Sequence, residues 1–115
     1  MTENIVLTEA TYYILLALLH PQHGYGIMQE AERLSNGRVR LAAGTLYGAL
    51  NTLCEKKWIT QIPSEAGSRK KEYQLTRTGF DVLLNELERL RELVANGDRL
   101  LDEIRNEEKF GGYLE

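Results

Sequence analysis

Apolar residues recur along the chain with two different periods, and the change from one to the other divides it into elements. From Thr8 to Leu19, TEATYYILLALL is apolar on nearly every side after a residue suited to capping. It predicts a buried first helix that stops at His20-Pro21, because proline disfavours helix in the residue before it. HGYGIMQEAERLS then sets Ile27, Met28, Ala31 and Leu34 at helical spacing, with Gln29, Glu30, Glu32 and Arg33 outward. This predicts a second helix with His23 at its start. Asn36-Gly37 ends it with turn chemistry, and the alternation in RVRL predicts a very short strand at 38–41. In GTLYGALNTLCEKKWI, Leu46, Ala49, Leu50 and Leu53 fall at i, i+3, i+4 and i+7, the buried face of a third helix. That helix starts at Ala43 or Gly44 and ends at Lys56-Lys57, whose charges suit the C-terminal end of the helix dipole.

Beyond Trp58 the period drops to two. WITQIPS and RKKEYQLT predict a β-hairpin turning through PSEAGS, with Ile59 and Ile62 facing Tyr73 and Leu75 on its inner side. Thr76 is placed to cap a last helix. There Phe80, Leu83, Leu87, Leu90, Val94, Leu101 and Ile104 step by heptad intervals, interrupted at Gly97, and Leu84, Leu93 and Leu100 widen the apolar face. The expected fold is mainly α with a small β-hairpin. A winged helix-turn-helix at 1–77 is followed by a long C-terminal helix at 78–110 and a loose tail at 111–115.

Composition narrows the class. A chain of 115 residues, 43% hydrophobic and 27% charged, suits one globular unit completed by a partner chain. The longest apolar run, Ile14 to Leu19, is too short to cross a bilayer, and no signal peptide is evident. A single cysteine excludes an internal disulfide framework and fits a reducing cytoplasm. The net charge of −3 hides a strong asymmetry. Residues 1–35 carry one basic and four acidic groups, 36–77 carry eight and three, and 78–115 carry five and ten. A basic centre thus lies between acidic ends, and the local field, more than the total charge, decides where a polyanion docks.

Three helices and a hairpin in this order leave one side of the third helix free. That side carries Thr45, Tyr47, Gly48, Asn51, Thr52 and Glu55, mostly short or hydrogen-bonding residues suited to phosphates and base edges in a major groove. Asn51 is suited to pair bidentately with adenine, Tyr47 to reach a phosphate, and Gly48 to allow close backbone approach. Arg69, Lys70 and Lys71 cluster at the hairpin tip, where they can lie along the sugar-phosphate backbone. A basic hairpin tip alone is often only a solvated edge, and a lone Tyr47 can equally be a half-buried packing residue. Their joint placement favours double-stranded DNA as the partner. The heptad seam extends beyond what so small a core can cover, which favours self-association. His20 and His23 form an H-x-x-H pair with proline inside it and no further ligand nearby, so no metal is expected. Cys54 reads as a small core residue, with a redox-sensing thiol as the alternative, and Trp58, Tyr12 and Tyr13 read as core aromatics. No cofactor loop or nucleophile-base arrangement suggests an enzyme.

In YILLALL…HGYGIMQE, GTLYGALNTLCEKKWI and GSRKKEYQLTRTG the chain resembles the PadR family of bacterial transcriptional regulators, in its shorter subfamily with one C-terminal helix. The likeness runs from residue 8 to about 105, and the patterns G-T-L-Y-x-x-L-x-x-L and Y-x-L-T-x-x-G carry it. It implies a recognition helix bearing Thr45, Tyr47 and Asn51, a wing bearing Arg69, Lys70 and Lys71, and a final helix that dimerises with help from the first. It further implies a homodimeric repressor on a pseudo-palindromic operator, released in some members by a small aromatic effector near the dimer interface. Gly48 departs from the family's usual proline, Ala42-Ala43 from its Ser-Pro, and no tryptophan lies in the last helix to stack on such an effector. The competing reading is a winged-helix protein-interaction module without specific DNA binding, against which the matching basic wing argues.

Overall fold

The computed structural model of the protein describes residues 5–63 and 71–106. In chain order it contains α1 (Glu9–Ala17), β1 (Gln22–His23), α2 (Gly24–Leu34), α3 (Ala43–Glu55), β2 (Ile59–Ile62), β3 (Glu72–Leu75) and α4 (Arg77–Asn106). The strands form one antiparallel sheet in the order β1-β3-β2. The fold is therefore mainly helical with a small sheet, a winged helix-turn-helix followed by a long last helix. Two compact units divide the chain, the first ending at Asn85 and the second beginning at Glu86. No helix among the described residues is long and apolar enough to cross a membrane.

In the first unit the stripes expected from sequence converge on one cluster. Ile14, Leu15 and Leu18, Ile27 of α2, Leu46, Leu50 and Leu53 of α3, Trp58 and Ile59, Tyr73 of β3, and Val82 and Leu83 of α4 form it. Each large aliphatic side chain so buried contributes about 1.5–3 kcal/mol relative to exposure. α1 starts as expected, with Thr8 Oγ1 accepting the amide of Thr11 at 3.1 Å. It stops at Ala17 and not at Leu19, because the last amides turn to carbonyls three residues back, Leu18 to Leu15 and Leu19 to Leu16. The Leu18 carbonyl is then free to accept the amide of Leu75, and Leu19 is left exposed.

The short strand expected at RVRL is absent. Ser35 is buried at the end of α2, and its hydroxyl accepts the Val39 amide at 2.8 Å while donating to the Glu32 carbonyl at 3.2 Å. That amide is thus unavailable to a ladder, and Val39 points into the protein. The third strand comes instead from Gln22–His23, which pairs with Tyr73 and Glu72. Between α2 and α3 the chain turns as Asn36-Gly37 suggested. Asn36 takes a left-handed φ of 53°, and the amides of Asn36 and Gly37 return to the carbonyls of Arg33 and Glu32. Arg38 then reaches back to Glu9 at the start of α1, Nε to carboxylate at 2.8 Å.

The hairpin register corrects one face assignment. Ile59 lies opposite Leu75, Gln61 opposite Tyr73 and Ile62 opposite Glu72. Residues three apart in a strand point to opposite faces, so Ile62 cannot share the inner face with Ile59. Gln61, itself exposed, stands opposite Tyr73 instead, its side-chain amide donating to the Tyr73 hydroxyl at 3.4 Å. Thr76 caps α4 as expected: its oxygen accepts the Gly79 amide at 3.1 Å, and its hydroxyl donates toward the carbonyls of Lys57 at 2.6 Å and Trp58 at 2.9 Å. The cap thereby also joins the end of α3 to the start of α4. The expected tail at 111–115 and the last residues assigned to the final helix lie outside the described residues.

Ser35→Ala orphans the buried Val39 amide and is expected to cost about 1–3 kcal/mol. Thr76→Ala is expected to cost about 1–2 kcal/mol, and Thr76→Ser, which keeps the oxygen, well under half of that. Urea unfolding monitored through Trp58 fluorescence measures both.

Candidate nucleic-acid interface

α3 buries Leu46, Leu50 and Leu53 and keeps Ala49 half-buried, which turns Thr45, Tyr47, Gly48, Asn51 and Thr52 to the outside. All six α3 positions named from sequence, Glu55 among them, are exposed. Thr52 donates its hydroxyl back to the Gly48 carbonyl at 3.2 Å, so its polarity is spent within the helix. Thr45, Tyr47 and Asn51 form no hydrogen bond with another described residue. The start of α3 has no side-chain cap: Ala42 stands at its N-cap and offers no acceptor to the first-turn amides at the positive end of the helix dipole. At the other end Lys57 takes a left-handed φ of 64°, and the amides of Lys57 and Trp58 close the helix onto Cys54 and Leu53.

Tyr47 is 45% exposed, yet it does not hang free. The end of its ring lies over Gly24, the first residue of α2, so closely that a Cβ placed there would come within 2.7 Å of the ring carbon bearing the hydroxyl. Sequence reasoning missed this pairing, because the two residues are far apart in the chain and neither is apolar by pattern. The spare glycine in HGYG is its only trace in the sequence. Just before it, His23 caps α2 through Nδ1, which accepts the Gly26 amide at 3.3 Å.

The basic segment is thinner than its sequence count. Arg38 is paired with Glu9, Arg77 with Asp81 at 3.2 Å, and Lys56 lies over the Trp58 ring, 4.7 Å from its centre. The pairing with Arg38 holds the Glu9 carboxyl below the usual carboxylate range and raises the Arg38 guanidinium. Arg40, Lys57 and Lys71 remain exposed without an ion pair to a described residue. Of the three wing cations named from sequence, Lys71 immediately precedes β3, whereas Arg69 and Lys70 lie outside the described residues.

Burial pushes the Cys54 thiol above its ordinary value, away from the reactive thiolate. No group of three or more His, Cys, Asp or Glu among the described residues could hold a metal. The positions named for self-association divide. Leu83 is built into the core cluster of the first unit, Leu87 and Leu90 are half-buried, and Phe80 is partly exposed. On the second unit's stretch of α4, Val94 is 62% and Leu101 60% exposed, and Ile104, Leu93 and Leu100 accompany them. The helix runs unbroken through Gly97.

The sequence matches the transcriptional regulator PadR-like family over residues 14–85. Among solved structures, RosR of H. salinarum is 30% identical, with 94% of this chain and 96% of that one covered and a TM-score of 0.63. A transcriptional regulator from Thermoplasma acidophilum is 27% identical over 81% of this chain and 90% of its own, also with a TM-score of 0.63. A PadR family transcription regulator from Clostridium difficile is 26% identical over 78% and 97%, with a TM-score of 0.62. No curated protein matches the sequence significantly. With the family matched over more than half its length, and an exposed polar helix set on the helix-turn-helix core, the chain belongs to the PadR-like family of DNA-binding transcriptional regulators, which are not enzymes.

Proposed function

We propose that the protein is a homodimeric repressor that presents two copies of α3 to a pseudo-palindromic operator. The observation that carries this reading is the division of α3, one face committed to the core and the other offering Thr45, Tyr47 and Asn51 without a hydrogen-bond partner among the described residues. In a major groove Asn51 is placed to pair with an adenine edge, Tyr47 and Thr45 to meet phosphates, and Gly48 to let the backbone approach closely. The surface at Gly48 is open to that approach, since no described residue beyond its chain neighbours and its own helix backbone comes within 4 Å of where a Cβ on Gly48 would stand. Arg69, Lys70 and Lys71 on the wing are assigned to phosphate neutralisation, which adds affinity and little sequence choice. In this division of the chain, 1–77 binds DNA and 78–110 dimerises.

The exposed apolar face of α4 supports the dimer. Val94, Leu101 and Ile104, widened by Leu93 and Leu100, form an apolar stripe on a helix otherwise rich in charge. Two-fold symmetry then sets the operator half-sites about one helical turn, 10–10.5 base pairs, or a multiple of it apart. Release by a small aromatic effector and a cytoplasmic location belong to this reading through family likeness alone.

Titration against duplex DNA from upstream of its own and neighbouring genes, at two salt concentrations, tests the operator. Equal, weak binding to every fragment would sink it. On the tightest fragment, Tyr47→Ala or Asn51→Ala is expected to lose about 1–3 kcal/mol of specific binding. Replacing Lys70 and Lys71 with alanine should instead lower the salt slope by about 0.9 per lost phosphate contact and weaken all sequences alike. Sedimentation is expected to find twice the chain mass for the wild type and the chain mass for Leu101→Glu; a monomeric wild type would remove the two-fold operator geometry.

A further inference from the structure

We propose that Gly24 is a positioning residue for DNA binding: it is the seat on which the Tyr47 ring rests, and its missing side chain fixes where the ring points. This rests on the reading of Tyr47 as a DNA contact. Gly24 is buried at the first position of α2, and the left-handed glycine among the described residues is Gly37, so the backbone at Gly24 is one that alanine adopts readily. Helix propensity alone would favour alanine there. What excludes it is the neighbour. A Cβ would overlap the Tyr47 hydroxyl, stand 2.7 Å from Cζ and 3.1 Å from Cε1. These atoms are the far end of a side chain with two soft torsions, so the ring can swing aside without disturbing the core. The cost of a methyl group at Gly24 therefore falls on the direction of Tyr47 and spares the fold.

The seat is itself held from two sides. The His23 cap fixes the first turn of α2, and the pairing of Gln22 and His23 with Tyr73 and Glu72 ties that turn to β3, the strand that follows Lys71. A ring resting on Gly24 is thus referenced to the same backbone that anchors the wing strand. Tyr47 on α3 and Lys71 before β3 are then referred to one junction, as simultaneous contact with a groove and its flanking phosphates requires.

The test is a double-mutant cycle on duplex DNA from immediately upstream of the protein's own gene, with Gly24→Ala, Tyr47→Ala and the pair. Expected are an unchanged or slightly raised melting temperature for Gly24→Ala and about a tenfold loss of affinity for each single variant. The double variant should bind no more weakly than Tyr47→Ala alone. Nuclear magnetic resonance of 13C-labelled tyrosines should show the Tyr47 ring signals shifted by Gly24→Ala. An affinity loss from Gly24→Ala that persists undiminished without Tyr47, or Tyr47 signals that do not move, would overturn the inference. If Tyr47→Ala weakens binding and Gly24→Ala does not, the DNA contact stands and the seat falls. If Tyr47→Ala changes nothing, the contact falls and the seat's role with it. Should Gly24→Ala unfold the chain, the double variant is expected to fold again, and a double variant that stays unfolded counts against the idea.

Discussion

The one-sided burial of α3 is the constraint on which the rest of this protein depends. Leu46, Leu50 and Leu53 belong to the core cluster with Ile14, Leu15, Leu18, Ile27 and Ile59. Turning the helix by one residue, about 100°, would bring all three toward water and lose several kcal/mol. Local propensity does not hold α3 in place, since it carries Gly44 and Gly48 and has no side-chain cap at Ala42. Each glycine in a helix interior costs about 1 kcal/mol relative to alanine, so tertiary burial must supply the stability. Thr45 and Asn51 contribute no packing, yet the apolar stripe behind them dictates their direction.

α2 serves as the base to which α3 and the sheet are both referred. At its C-terminal end the buried Ser35 hydroxyl and the left-handed Asn36 shape a turn that delivers the chain to Ala43 in one geometry. At its N-terminal end β1 enters the sheet and Gly24 meets Tyr47. A two-residue strand adds little to stability by itself. Its effect is geometric, because it joins the helical core to the strand that leads out of the wing, and Thr76 makes the matching connection from the Trp58 and Lys57 carbonyls to α4.

Much of this was legible in the sequence, for a physical reason. Helical stripes such as Leu46, Leu50 and Leu53 encode their own buried face, so the exposed side of α3 followed by subtraction, and with it the placement of Thr45, Tyr47, Gly48 and Asn51. Caps announce themselves through residue type, as Thr8 and Thr76 did. Features set by contacts between distant segments were not legible. β1 is two residues long and has no periodicity to detect; RVRL had the alternation but lost an amide to Ser35, a contact the pattern cannot reveal. The misplacement of Ile62 was a parity error that a count by twos from Ile59 would have caught. Gly24 and Tyr47 meet only because α2 and α3 pack, and no local rule pairs them.

Charge shows the same limit. The basic count of 36–77 promised a strong local field, yet Arg38 is spent on Glu9 and Arg77 on Asp81, pairs set by fold and helix spacing. Among the described residues of that segment, Arg40 and Lys57 flank the two ends of α3 and Lys71 precedes β3, and none of the three has an ion pair with a described residue. Screening limits exposed charges to a range of about 8 Å at physiological ionic strength, so an approaching phosphate responds to these nearby cations and hardly to the total of −3. The ion pairs that reduce the count therefore sharpen the pattern: they occupy Arg38 and Arg77 and leave Arg40, Lys57 and Lys71 to set the local field beside α3 and β3.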